Sequence, residues 1–326
     1  MSRAQTASTA VIPAFGARGS SICVHGMMLI ATFLVATSFP VVAAVTGGLD
    51  SGVLTFLRFA LASLLFAPLV AWRYGLTVPS GRDLVRYGVL GLLLVTFFWC
   101  MFASLRLTTP LNTAAIFALM PIMTAGLAAV VLREKLGVPS RIALPVGATG
   151  AVWVVFRGDL SALMSLQIGA GDATFLAGTL ALAVYSTLVK VLHRGEPMAR
   201  MTFWTLTAGA GWLFVLSLPS LVTIQWAEVP ARVFAGVAYL SVFTTIVTFF
   251  VFQWSTNRIG PTRVVSYTFL NPAIVLVLGL AFGGEVPPLT IWPGVGLAVA
   301  ATAILQSNSA GRDLPARSVS GPAPQN

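Results

Sequence analysis

Ten apolar runs, most close to twenty residues long and almost free of charge, constrain this chain more than any other feature. In hydrocarbon no water satisfies a backbone N–H or C=O, so such runs cross a membrane as helices that close their own hydrogen bonds. They lie at about 22–46, 52–72, 84–105, 110–131, 140–156, 172–192, 200–222, 231–255, 261–282 and 289–306. Only 9% of the residues are charged, against roughly 25% in a soluble domain. The first run is too long for the core of a cleaved signal peptide and predicts a helix. Residues 1–21, rich in Ala, Ser and Thr, are expected to form a disordered leader, and the polar stretch 307–326 a disordered tail.

A net charge of +10 would suit a nucleic-acid ligand only if it formed one basic face, and here the basic residues stand singly between apolar runs. Their distribution reads instead as membrane topology. The two termini and the loops after the second, fourth, sixth and eighth runs hold fifteen Lys and Arg. The opposite side holds three, Arg106, Arg157 and Arg232, and Arg58 lies within the second run. This bias predicts both termini in the cytoplasm of a bacterium, with the chain in the inner membrane. Cys23 and Cys100 supply neither a disulfide framework nor a metal site, and no cofactor is expected.

Pro261 follows Pro110 by 151 residues, Pro272 follows Pro121 by 151, and Glu285 follows Glu134 by 151. Thr55-Phe56 and Thr202-Phe203 match at an offset of 147. The chain is therefore a duplicated unit of five helices. An odd number of crossings turns the second copy upside down, and basic residues shift between equivalent loops accordingly. The expected fold is an all-α membrane protein with ten transmembrane helices in two inverted five-helix repeats, 22–157 and 172–306, around a central cavity. Pro121 and Pro272 mark hinges, because each removes a backbone donor one turn after a carbonyl. At the second break the carbonyl left over is that of Thr268, which must find a polar cavity or a neighbouring helix.

The stretch from Leu105 through Thr109-Pro110 and Met120-Pro121 to Arg133-Glu134-Lys135 resembles the first repeat of an EamA-type transporter. Arg258-Ile259-Gly260-Pro261, Leu270-Asn271-Pro272 and Gly284-Glu285 resemble the second. The resemblance spans about 25–306 and implies the drug/metabolite transporter superfamily, whose members commonly export small metabolites. Arg58 sits where that family often has Arg. Gly283-Gly284-Glu285 followed by Val-Pro-Pro departs from the charged turn of the pattern.

Every Asp and Glu stands in a loop, a tail or a helix end. A proton-driven antiporter usually carries a titratable group at membrane depth, so facilitated diffusion or exchange is expected. No histidine is placed to activate a serine and no paired acids to hold a metal, so the chain does not read as an enzyme. The candidate cavity lining is Thr37, Ser38, Trp99, Asn112, Met120, Tyr185, Tyr267 and Asn271. Together these offer aromatic walls, hydroxyls and one amide to a small amphipathic solute. Tyr267 and Asn271 align with Ile116 and Met120 of the first half, so the second half supplies the polar groups. The row Ser241, Thr244, Thr245 and Thr248 reads as helix-packing contacts. Arg58 reads as a counter-charge for an anionic group, as a partner for carbonyls freed at the breaks, or as an arginine snorkelling outward. The expected partners are a small-molecule substrate and lipid, with the protein a monomer or weak homodimer. A non-transporting membrane protein, such as an intramembrane enzyme or sensor subunit, is the alternative.

Overall fold

A computed structural model describes residues 17–45, 49–105, 107–108, 110–165, 169–281 and 288–307, and within helices the side chains of 17–21, 39, 40, 43, 44, 102, 105 and 110–112 are not described. Leader residues 1–16, tail residues 308–326 and Glu285 lie outside the described residues.

The described residues are helical and contain no strand. In chain order the crossings are α1 (Ala17–Val45), α2 (Ser51–Tyr74), α3 (Gly81–Leu105), α4 in two pieces (Pro110–Phe117 and Met120–Val131), α5 (Val138–Val155), α6 (Ala170–Leu192), α7 (Met198–Leu221), α8 (Ala231–Ile259), α9 (Pro261–Ala281) and α10 (Leu289–Ser307). Nine of the described helices are long and apolar enough to cross a membrane, and Ile22–Ser38 of α1 adds a shorter apolar one. The local signals are ordinary ones. Asp50 caps α2 by accepting from the Gly52 N–H at 2.9 Å. The turn between α8 and α9 passes through Gly260 at φ +85°, and Pro261 opens the next helix.

With lipid outside, helices associate through close packing rather than through expulsion of water. Glycine supplies the closeness. A Cβ on Gly150 would lie 2.7 Å from the Gly294 carbonyl oxygen, and one on Gly91 would lie 2.7 Å from the Gly209 nitrogen. These contacts seat α5 on α10 and α3 on α7. Five of the largest fully buried side chains, Phe59, Leu90, Leu94, Met201 and Leu206, then fill the junction of α2, α3 and α7.

Loops gather at two ends. At one, Arg86 near the start of α3 bridges Asp83 and Glu196, each at 3.0 Å, and the Glu134 carboxylate accepts from the Thr262 hydroxyl at 3.2 Å. This end carries most of the Lys and Arg, and we call it the basic end. At the other, the Trp153 indole donates to the Thr290 carbonyl at 2.7 Å and Thr108 donates to Asp172.

Among the described residues, and apart from the donors lost at Pro68, Pro145 and Pro219, the α-helical pattern gives way part-way along three crossings. In α4 the break falls at Ala118-Leu119, and the Leu119 N–H turns back to the Ile116 carbonyl at 3.0 Å. In α9, Tyr267–Leu270 tightens into a 3-10 turn ahead of Asn271-Pro272. That turn corrects one expectation. The Thr268 carbonyl is not left over, because the Asn271 N–H, one residue earlier than an α-helical donor, bonds to it. Around it α10 supplies further partners, with Gln306 donating to the Arg263 carbonyl at 3.1 Å and to the Ser266 hydroxyl at 3.0 Å. The third interruption, a π-helical stretch at Val242–Val247 in α8, has no proline or glycine to announce it.

Gly150→Leu should therefore force α5 off α10 and cost about 1–3 kcal/mol, the usual range for overpacking. Gly126→Leu, where nothing lies within 4 Å of the added carbon, should leave stability unchanged. Thermal melting of the two variants in detergent checks the difference.

Candidate functional site

Arg58 is the eighth residue of α2, about 10 Å along the helix at 1.5 Å per residue. A charge at that depth must be met by polar groups or opened to water, since an arginine placed mid-membrane costs about 2.5–3.5 kcal/mol on insertion scales. The π-helical stretch of α8 meets it. Arg58 Nε donates to the Thr245 hydroxyl at 2.5 Å, and Nη2 donates to the Thr244 carbonyl at 2.6 Å and its hydroxyl at 3.1 Å. π-Type bonding moves each N–H one residue further along, so an oxygen at the transition becomes available to an outside donor. The Thr248 hydroxyl shares the Thr244 carbonyl at 3.0 Å, and Ser241 donates to the backbone carbonyl of Arg58 at 3.0 Å. The guanidinium also lies over the Phe98 ring, 5.3 Å from its centre.

These contacts engage Nε and Nη2. Among the described residues the third nitrogen, Nη1, makes no hydrogen bond, and no carboxylate pairs with the guanidinium. Arg58 borders a narrow, partly open cavity. Its walls come from α1 (Val42, Val45), α2 (Leu54, Thr55), α3 (Phe98, Met101) and α8 (Val237, Leu240). All but Thr55 and Arg58 are apolar. Val45, Leu54 and Met101 sit in the final or first turns of their helices, so the cavity lies towards the end opposite the basic one.

The described members of the candidate lining read from the sequence make contacts of their own. Thr37 pairs with the Tyr239 hydroxyl at 2.7 Å, joining α1 to α8, while Ser38 donates to the Val35 carbonyl at 2.6 Å. Tyr185 accepts from Gln253 Nε2 at 2.9 Å, and Gln253 Oε1 accepts from Thr202 at 2.6 Å, which makes a buried chain across α6, α8 and α7. The Tyr267 hydroxyl meets His25 Nδ1 at 2.7 Å, joining α9 to α1. Asn271 is buried, and its Oδ1 has no partner among the described residues. Met120 is buried, Trp99 is 58% exposed on the bundle surface, and the Asn112 side chain lies outside the described residues. None of the seven that are described lines the Arg58 cavity. The sequence reading missed Tyr239, Gln253 and His25 as inter-helix partners. Gln253 and His25 left a signal as isolated polar side chains in or beside apolar runs.

At the basic end Glu134 and Lys190 converge on Gly260. A Cβ there would lie 3.1 Å from Glu134 Oε1 and 3.8 Å from Lys190 Nζ. The absent side chain lets the α4–α5 loop, the end of α6 and the α8–α9 turn meet. Among the described residues no three His, Cys, Asp or Glu side chains gather as a metal would require.

Residues 24–156 and 169–306 each match the family described as the EamA-like transporter family. The chain is 24% identical over 254 residues to the "Uncharacterized transporter YyaM" of Bacillus subtilis, covering 77% of this chain and 82% of the relative. It is 24% identical over 281 residues to a "Probable terminal-alkyne amino-acid exporter" of Streptantibioticus cattleyicolor, covering 85% and 91%. It is 25% identical over 247 residues to the "Uncharacterized inner membrane transporter YedA" of Escherichia coli, covering 68% and 79%. A solved crystal structure superposes with a TM-score of 0.71 at 17% identity, covering 90% of this chain and 99% of the other.

Thr245→Val keeps the shape of the α8 side chain and removes the oxygen that accepts from Arg58 Nε. It should lower stability by about 0.6–2 kcal/mol, the range for a hydrogen bond between membrane helices, read as a lower melting midpoint in detergent. Thr207→Val, whose hydroxyl bonds only within α7, is the control and should change it little.

Proposed function

Since the chain belongs to the EamA-like transporter family and is a multi-pass membrane transporter, we propose that it exports a small amphipathic metabolite across a bacterial inner membrane. It works by alternating access, with two inverted five-helix repeats, 22–157 and 172–306, rocking about the breaks at Pro121 and Pro272.

The observation that carries this reading is the pattern of helix neighbours. Adding or subtracting five converts most of the main pairings into one another. The contact of α3 with α6 becomes that of α8 with α1, α4 with α6 becomes α9 with α1, and α3 with α7 becomes α8 with α2. The pairs α2–α7, α4–α9 and α5–α10 map onto themselves. Such a pattern supports a two-fold relation between the halves, as does the double match to the family.

Direction and state follow from the same frame. Basic residues accumulate on the cytoplasmic side of membrane proteins, so the basic end is taken as cytoplasmic and the Arg58 cavity as opening outward. The meeting of Glu134, Thr262 and Gly260 is then a closed inner gate. Export is further supported by the name of the Streptantibioticus relative. Tyr267, Asn271 and Met120 stand beside the breaks in α9 and α4, and in this reading they are uncovered when the inner gate opens. Trp99, Asn112 and the Thr37, Ser38 and Tyr185 positions complete the path.

Impermeant maleimide applied to intact cells tests the arrangement, in a background with Cys23 and Cys100 replaced by serine. Val42→Cys should be labelled from outside, and Lys135→Cys only after the membrane is opened. The reverse pattern would invert the topology and with it the gate assignment. Once a cargo is found, Glu134→Ala should loosen the inner gate and change the rate of flux from reconstituted vesicles.

A further inference from the structure

We propose that the Arg58 cavity is a carboxylate-binding site, and that the cargo class is a small organic anion with an apolar body. This rests on the transporter reading only for what the site is used for. The binding claim stands on geometry.

The guanidinium is held by two of its three nitrogens, so its position is fixed before any ligand arrives. Thr244 and Thr245 take Nε and Nη2, and Phe98 lies under the plane. Arg58 lines the cavity, its Nη1 makes no hydrogen bond among the described residues, and no acidic side chain among them neutralises the charge. A cation prepared in this way, in surroundings of low dielectric, attracts one carboxylate oxygen through a charge-assisted hydrogen bond. The rest of the lining decides what the carboxylate is attached to. Val42, Val45, Leu54, Met101 and Leu240 offer hydrocarbon, which suits an alkyl or aryl group. Thr55, the other polar side chain among the described residues of the wall, already donates to the Ser51 carbonyl at 2.8 Å. No described residue of the lining carries negative charge for a cationic group, and Arg58 would repel one.

Three probes with one body separate the possibilities: phenylacetate, phenylacetamide and phenethylammonium, offered at neutral pH to the purified protein in nanodiscs, with binding measured by equilibrium dialysis. Phenylacetate should bind, and the neutral amide and the cation should bind about tenfold or more weakly, the loss expected for a missing charged hydrogen bond. Arg58→Gln should abolish the preference for the anion. Because that change also disturbs the clasp on α8, Met101→Trp is the second variant. It fills the cavity from α3, leaves Arg58 and its threonines in place, and should also remove phenylacetate binding. Equal binding of all three probes, or anion binding that survives both variants, would overturn the site. Flux into vesicles reads the other claim separately. Anion binding without flux of any bound solute would contradict transport and leave the site standing. Flux of solutes lacking a carboxylate, with no anion binding, would contradict the site and leave transport standing.

Discussion

A backbone carbonyl deprived of its helical N–H has no water to turn to inside a bilayer, and leaving it bare costs several kcal/mol. The interrupted crossings of this protein are arranged around that constraint. In α9 the chain tightens so that the Asn271 N–H reaches the Thr268 carbonyl, and α10 brings Gln306 and Thr302 against the preceding turn. In α4 the Leu119 N–H turns back to Ile116. In α8 the Thr244 carbonyl is given to Arg58. The first two solutions pair the backbone at the break within its own helix. The third recruits a charge from another helix, and that charge keeps one nitrogen unbonded among the described residues.

The two problems on α2 and α8 thus answer each other. A guanidinium at that depth needs oxygens, and a π-helical stretch offers one. Ser241, Thr244 and Thr245 add hydroxyls that also bond back to the carbonyls of Val237 and Leu240, which holds them in one rotamer. Because Arg58 spans from α2 to α8, it joins a helix of the first family match to one of the second. A movement of the halves would have to carry this clasp intact or break it, and three hydrogen bonds favour carrying it.

The sequence made the apolar helices legible because each run is long and charge-poor, and the ends of the nine described helices long enough to cross a membrane differ from the expected ones by only a few residues. It also made the duplication and the family legible, through prolines and glutamates at one spacing. Arg58 donates not to a carbonyl beside either proline break, as one expectation had it, but to that of Thr244 in a π-helical stretch. That stretch was hidden because nothing in Ser241 to Thr248 breaks a helix by propensity. The polar pairs His25–Tyr267, Thr37–Tyr239 and Tyr185–Gln253 were hidden for a different reason. Each joins residues far apart in the chain, and periodicity along one helix carries no information about which face of another it meets.

The central claim, that the meeting of Glu134 and Thr262 is a gate on the transport path, can be tested by locking it. A Glu134→Cys, Thr262→Cys pair in the cysteine-free background should be bridged by a short bis-methanethiosulfonate reagent, which spans the gap left where the longer Glu134 side chain reaches the Thr262 hydroxyl at 3.2 Å. Flux of phenylacetate, or of whatever solute the reconstituted protein is found to carry, should stop on cross-linking and return on reduction. Flux that continues at full rate through fully cross-linked protein would contradict the account.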